Sequence, residues 1–195
     1  MNWIKNSSLL ILLVCTLFSC KQNYTPKPHG YFRIDFPDKE YQLCDSIYQF
    51  SFEYPVYGKL EPVAHSTYNS SLLNLQFPKY KGTIHLTYIK INNNLDQLIE
   101  TEWKMVYSKI AQKADHVDDY VVEIPKRNVY GMIYDIKGNA ASSALFFVTD
   151  SVTNFLRGSL YFYAKPNQDS LAPAIAFFRE DIIHLVESIK WKDDK

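Results

Sequence analysis

The residues whose types and spacing most clearly indicate chemistry lie near the N-terminus, where Leu17-Phe18-Ser19-Cys20 closes a short hydrophobic segment. This pattern is typical of a bacterial lipobox, in which the cysteine becomes the first mature residue and carries acyl chains. Each buried methylene of such a chain contributes ~0.8 kcal/mol, so several chains on one cysteine hold a protein on a bilayer. We therefore predict that residues 1–19 are removed and that Cys20 is lipidated.

The segment before the cysteine has the parts of an export signal. Lys5 is its one charged residue, and the uncharged run 9–18 is about ten residues long, short of the ~20 that span a membrane. The alternatives are a buried core helix, an uncleaved anchor, or a secretory signal cut elsewhere. The polar residues that begin at Lys21 favour the lipoprotein.

Arg157 is the second residue that could do chemistry, because it stands in an otherwise apolar strand pattern shortly after Asp150-Ser151. We predict a structural ion pair between Arg157 and Asp150 across the turn. Recognition of an anionic group by the planar guanidinium is the alternative.

Metal and catalytic patterns are not found in the sequence. The histidines stand singly, without a second histidine or cysteine at metal-site spacing: His29, His65, His85, His116 and His184. We interpret the acidic stretch 115–119 as a solvated helix-to-strand connection, and the lone mature thiol, Cys44, as a half-buried strand residue. We therefore predict no catalytic residue, metal or cofactor, and no small-molecule substrate. A hydrolase whose residues converge only in three dimensions is the enzymatic alternative.

Composition further restricts the classes of function that the chain could have. The 195 residues carry 21 basic and 21 acidic side chains, so loss of Lys5 leaves about −1, and no basic run points to nucleic acid. Aromatic residues make up 15% and fall mostly in strand-like runs, where they suit a half-buried pleated surface. An aromatic cleft that stacks glycan, or holds peptidoglycan or lipid, is the alternative interpretation.

The elements that must position these residues follow from periodicity and turn signals. We predict a lipidated tether over 20–30 and a single α+β domain over 31–195, with a mainly antiparallel sheet. The predicted strands are 31–36, 47–54, 72–77, 83–91, 120–124, 130–137, 144–149 and 155–164. Gly138-Asn139 is expected to form a hairpin turn with positive φ.

Two amphipathic helices complete the prediction. The first begins after Asn94 as N-cap, and the second runs from the loop at 166–170 to about residue 189. The first is expected to bury the stripe Leu95, Ile99, Trp103, Val106 and Ile110, and the second the stripe Ile175, Phe178, Ile182, Leu185 and Ile189.

Several longer motifs, in order along the mature chain, resemble the gliding-motility lipoprotein family GldD of Bacteroidota. They lie at 28–37 (PHGYFRIDFP), 83–88 (TIHLTY), 130–142 (YGMIYDIKGNAAS), 149–151 (TDS), 155–162 (FLRGSLYF) and 166–173 (PNQDSLAP). The order of elements is also similar to the PsbP-like α-β-α sandwich, an analogy at the level of fold.

The resemblance implies a cell-envelope lipoprotein needed for gliding motility and for the associated type IX protein secretion. It implies no enzyme and no catalytic residues. The one functional site that it transfers to this chain is Cys20. The implied partners are the membrane, through the lipid, and other proteins of that machinery. Because Lys21-Gln22 lacks the aspartate associated with inner-membrane retention in some bacteria, we expect the outer membrane, facing the periplasm.

Overall fold

A seven-stranded antiparallel sheet is the centre of the described chain, which comprises residues 34–45, 49–63, 70–164 and 168–192 of a computed structural model. These residues belong to one compact unit, Tyr31–Lys195. The predicted signal peptide, Cys20, the tether, His29 and His65 lie outside the described residues.

The strand order of the large sheet is β3-β4-β5-β9-β8-β7-β6. Its members are β3 (Lys59–Pro62), β4 (Ser70–Phe77), β5 (Gly82–Lys90), β6 (His116–Ile124), β7 (Val129–Lys137), β8 (Ser142–Thr149) and β9 (Asn154–Phe162). Neighbouring strands pair antiparallel throughout. β7 and β8 are joined by a short connection at Gly138, where φ is +99°. The predicted positive-φ turn at Gly138 is therefore confirmed.

A smaller sheet has the order β1-β2-β10, formed by β1 (Tyr41–Cys44), β2 (Phe50–Pro55) and β10 (Lys190–Trp191). Cys44 is half-buried at the end of β1, as predicted. β1 and β3 were not predicted, because each has four residues and neither shows a strand-length alternation.

Two helices cover the two faces of the large sheet. Helix α1 (Leu95–Lys104) continues into a π-helical segment (Met105–Ile110) and a 3-10 turn (Ala111–Lys113). Helix α2 (Gln168–Ser188) packs Phe178, Ile182 and Leu185, all fully buried, onto the opposite face. β8 lies between the two helical layers and is buried along its whole length. The predicted α+β class, antiparallel sheet and α-β-α layering are thus confirmed.

Helix α1 is rotated about its axis relative to the prediction. Ile99 and Trp103 are 36% and 53% exposed, whereas Glu102, expected on no apolar stripe, is buried at 5%. The rest of the predicted stripe, Leu95, Val106 and Ile110, packs against the sheet as expected, and Leu98 joins it in place of Ile99 and Trp103. The physical reason for the burial of Glu102 is Arg157 of β9, which lies in the sheet beneath α1 and requires a carboxylate partner. Asn94 precedes the helix as predicted, but its side chain accepts the Asn92 N–H rather than capping the helix.

The N-terminal part of the described chain is irregular rather than a strand. The predicted strand over 31–36 is wrong for its described part, since residues 34–36 form no ladder; residues 31–33 lie outside the described residues. Phe36 stacks on Phe177 of α2 at 4.2 Å between ring centroids, so burial of the ring replaces strand pairing. The segment is also held by Asp181, a fully buried carboxylate of α2 that Lys39 and Tyr41 contact. The helices of the described residues are each too short or too polar to cross a membrane.

Candidate functional site

A polar cavity of about 360 Å³ opens on the face of the sheet that carries α1. Strands β5 and β9, which pair in register, contribute most of its polar wall: His85 lies opposite Ser159, and Thr87 lies opposite Arg157. Because side chains alternate along a strand, Leu86 and Leu160 point to the opposite face and join the core under α2. The predicted alternation of β9, with Leu156 and Leu160 buried and Arg157 and Ser159 wetter, is confirmed.

The main charged feature of the cavity is an ion pair between sheet and helix. Nη1 of Arg157 donates to Oε1 of Glu102 at 2.7 Å; the Glu102 side chain is 6% exposed and that of Arg157 is 33% exposed. A guanidinium stays charged at physiological pH, so its partial burial requires a nearby anion. The pair contributes no net charge to the cavity.

The predicted pair of Arg157 with Asp150 is therefore wrong. One carboxylate oxygen of Asp150 accepts the backbone N–H groups of Val152, Thr153 and Asn154 at 2.8–2.9 Å, and the other accepts the Asn154 amide. Burial raises the pKa of Asp150, but these hydrogen bonds to the carboxylate outweigh it and hold the pKa below its usual value. Asp150 thus orders its own loop.

His85 has a defined orientation at the other end of the cavity. Its Nδ1 lies 2.7 Å from Oδ1 of Asn74, and an amide oxygen only accepts, so Nδ1 carries the proton. Burial lowers the pKa of His85, which favours the neutral ring with Nε2 as an acceptor. The edge-on ring of Tyr161 lies 5.5 Å from the imidazole centroid.

The arrangement can form hydrogen bonds of both polarities without net charge. Arg157 donates, neutral His85 accepts, Ser159 and Thr87 do both, and Met105 lies beside them as an apolar wall. In the described residues no hydrogen bond joins Ser159 to His85, so the hydroxyl is not paired with the imidazole here. No group of three histidine, cysteine or acidic residues is placed to hold a metal ion in the described part of the chain.

The other residues that the sequence analysis considered lie away from this cavity. His116 is exposed on β6 and lies 3.0 Å from Asp118, within a strand rather than the connection that we predicted for 115–119. Pairing with β7 along 116–124 makes this acidic stretch extended. His184 stacks on Tyr41 and lies 2.7 Å from Glu53.

Of the residues that line the cavity, the sequence singled out Arg157 for chemistry and did not connect Glu102 or His85 with it. The sequence did contain a signal for Glu102, because an arginine in an apolar strand requires an acidic partner. α1 directly follows β5, the strand that pairs with β9, and so its acidic residues are near Arg157. The pair of His85 with Asn74 depends on the register between β4 and β5, which the sequence leaves open.

Comparisons with known proteins bear on the family and the fold. No curated protein matches the chain. Among solved structures, the chain is similar to the solution structure of cyanobacterial PsbP (CyanoP) from Synechocystis sp. PCC 6803, with a TM-score of 0.47 and 10% identity over 85% of this chain and 99% of that one.

The family comparison covers most of the chain. The family described as gliding motility lipoprotein GldD matches residues 21–191, which include every strand and both helices described above. The resemblance inferred from the sequence motifs is thereby confirmed. The chain belongs to the gliding-motility lipoprotein family GldD, a family of lipid-anchored proteins of the cell envelope.

Proposed function

We propose that this protein acts as a non-catalytic component of the gliding machinery and of the type IX secretion on which that machinery depends. The observation that carries the proposal is the family match over residues 21–191. In this proposal Cys20 anchors the chain in the outer membrane, facing the periplasm, and the α+β domain contacts other proteins of the machinery.

A gene deletion tests the role. The deletion strain is expected to lose colony spreading and secretion of type IX cargo, and a plasmid copy is expected to restore both. Normal spreading together with normal secretion would refute the proposal. Loss of spreading with normal secretion would refute its secretion part.

Membrane fractionation tests the anchor. Cys20→Ala is expected to move the protein from the membrane to the soluble fraction, because the acyl chains supply the bilayer affinity. Cys15→Ala is the matched control: it removes a thiol of the same segment outside the lipidation position, and it is expected to stay in the outer-membrane fraction. Membrane retention of Cys20→Ala would contradict lipidation at this residue.

A second candidate function is the binding of an uncharged polar envelope ligand such as a glycan, and the cavity supports it. Its charges cancel between Arg157 and Glu102, so an ionic ligand gains little there, whereas hydroxyl groups find both donors and acceptors. The ring of Tyr161 adds an apolar surface on which a sugar can stack.

Titration calorimetry with the uncharged oligosaccharides chitobiose to chitotetraose tests this candidate. Tyr161→Ala is expected to abolish binding, whereas Tyr163→Ala is expected to leave it unchanged. Tyr163 is the matched control because it follows two residues later with its side chain 68% exposed, and it does not line the cavity. Equal effects of the two variants, or no binding by the wild-type chain, would reject the ligand.

A further inference from the structure

Among the described residues, no strand pairs with the outer edge of β6 in the large sheet. β6 is the terminal strand, with nine residues, and it pairs with β7 in one continuous register from His116 to Ile124. Edge strands are commonly protected by lysine, proline, a bulge or short length, since their outer backbone groups can pair with another chain. The opposite edge, β3, is four residues long and ends in Pro62. β6 has no lysine, proline or bulge and is nine residues long, so its edge protection is limited to the acidic side chains of Asp118, Asp119 and Glu123.

An apolar groove of about 300 Å³ runs beside this edge, between β6 and α2. Val122 and Ile124 of β6 and Ile183 and Val186 of α2 line it. At one end the guanidinium of Arg179 lies over the ring of Tyr120 at 4.9 Å. A strand added along β6 would place every second side chain next to this groove.

The charge of Arg179 is only partly offset within the fold, because the carboxylate oxygen of Asp135 that it faces also pairs with Lys137 at 2.5 Å. The Arg179 Nε lies 3.3 Å from the carboxylate of Asp135, which is 3% exposed. The central part of the groove carries aliphatic side chains. The positions of an added strand that face the groove therefore favour apolar residues.

The other face of β6 is acidic. Asp119, Val121 and Glu123 alternate there, and Val121 is 68% exposed. With Asp118, the strand holds three carboxylates and neither lysine nor arginine. Complementary positive charges therefore belong opposite Asp119 and Glu123. Asp118 has the strand parity of Tyr120 on the groove side and is already 3.0 Å from His116.

The same charges disfavour one symmetric pairing of β6 with a second copy of this chain. In the symmetric antiparallel register centred on Val121, Asp119 of each copy would face Glu123 of the other. Like charges directly opposite across a strand pair are destabilising.

We propose that β6 binds an extended segment of a partner protein by strand addition, and that this segment alternates apolar residues, toward the groove, with basic residues, toward Asp119 and Glu123. Backbone hydrogen bonds to the open edge supply affinity, and the alternation supplies specificity. The inference stands on the geometry of β6 and does not depend on the motility role.

A labelled nine-residue peptide of alternating valine and lysine is the probe, titrated by fluorescence anisotropy into the full-length lipidated protein in nonionic detergent. Saturable binding is expected. Glu123→Lys is expected to weaken it about tenfold, since one attractive cross-strand pair becomes repulsive. The matched control is Glu100→Lys on α1, whose side chain is 60% exposed away from β6, and its affinity is expected to equal that of the wild type.

Two further measurements separate strand addition from nonspecific charge attraction. A peptide of the same sequence with N-methylated backbone at alternate positions is expected to bind weakly, and hydrogen exchange is expected to slow for amides of β6 when the unmodified peptide binds. The absence of saturable binding, equal affinity for Glu123→Lys, equal affinity of the N-methylated peptide, or protection elsewhere than β6 would overturn the proposal.

Discussion

Replacement of Asp181 by alanine is expected to destabilise the domain strongly, because this carboxylate joins three chain segments. Its side chain is fully buried, and it accepts from Lys39 Nζ at 2.8 Å, from Tyr41 OH at 3.0 Å and from Tyr57 OH at 2.7 Å. Lys39 also lies over the Phe177 ring at 3.4 Å. The contacts thus hold the segment that enters the domain, β1 and the loop after β2 onto α2.

The magnitude follows from what the variant leaves behind. Breaking a buried ion pair by removing one partner costs ~3–5 kcal/mol. The Lys39 side chain is 24% exposed and can recover part of its hydration, so we expect the lower end, about 3 kcal/mol. For a domain of this size that loss lowers Tm by about 6–12 °C.

Thermal and urea unfolding of the full chain in detergent, followed by circular dichroism, measure the effect. Glu180→Ala is the matched control, since the neighbouring carboxylate is 69% exposed and 3.9 Å from Lys39, and surface pairs contribute ~1 kcal/mol or less. A loss for Asp181→Ala no greater than that for Glu180→Ala would refute the reasoning.

Three other perturbations follow from the structure. Glu102→Leu is expected to cost ~2–3 kcal/mol, since it leaves the Arg157 guanidinium unpaired, and the double variant with Arg157→Leu is expected to recover most of that loss in urea unfolding; an additive double variant would contradict the pairing. Gly138→Ala is expected to cost ~1–3 kcal/mol, because φ is +99° and an added Cβ would lie 2.6 Å from a backbone nitrogen; an unchanged urea midpoint would contradict this. Burial raises the pKa of Tyr134 to about 12, so the folded chain keeps a proton that the unfolded chain loses from pH ~10 upward, and stability is expected to fall between pH ~10 and about 12. A urea midpoint that is constant across this interval, or equal dependence in Tyr134→Phe, would contradict that assignment.

The long strands could be predicted from the sequence because two signals coincided in each. β5 and β9 alternate in polarity over nine residues, and glycine, proline or asparagine stands at their ends. β1 and β3 carry neither signal, and their pairing partners decide their conformation. The acidic stretch before Tyr120 likewise became a strand through its register with β7, whereas its composition resembles that of a loop.

One residue of the candidate site, Arg157, could be predicted from the sequence, whereas the geometry of the site could not. Arg157 stood out because a charge in an apolar strand is costly without a partner. Proximity in the sequence favours Asp150 as its partner, but the actual partner, Glu102, is 55 positions away. Local spacing cannot show which helix face will meet a strand, so the partner depended on tertiary packing.

The rotation of α1 lowers the stability that packing of this helix could provide, and this cost indicates a role for the cavity other than stability. Turning Glu102 inward leaves Trp103 53% exposed, although burial of a large apolar side chain stabilises by ~1.5–3 kcal/mol. A buried ion pair does not return that energy, because desolvation of both charges offsets their attraction, and apolar residues of similar volume are often as stable or more so. Stability alone would therefore favour the amphipathic packing that the sequence pattern predicts. Departures of this kind, where local pattern and tertiary structure disagree, are typical of functional sites. If the ion pair serves ligand binding, the double variant of Glu102 and Arg157 is expected to retain stability in urea unfolding and to lose binding of the oligosaccharides.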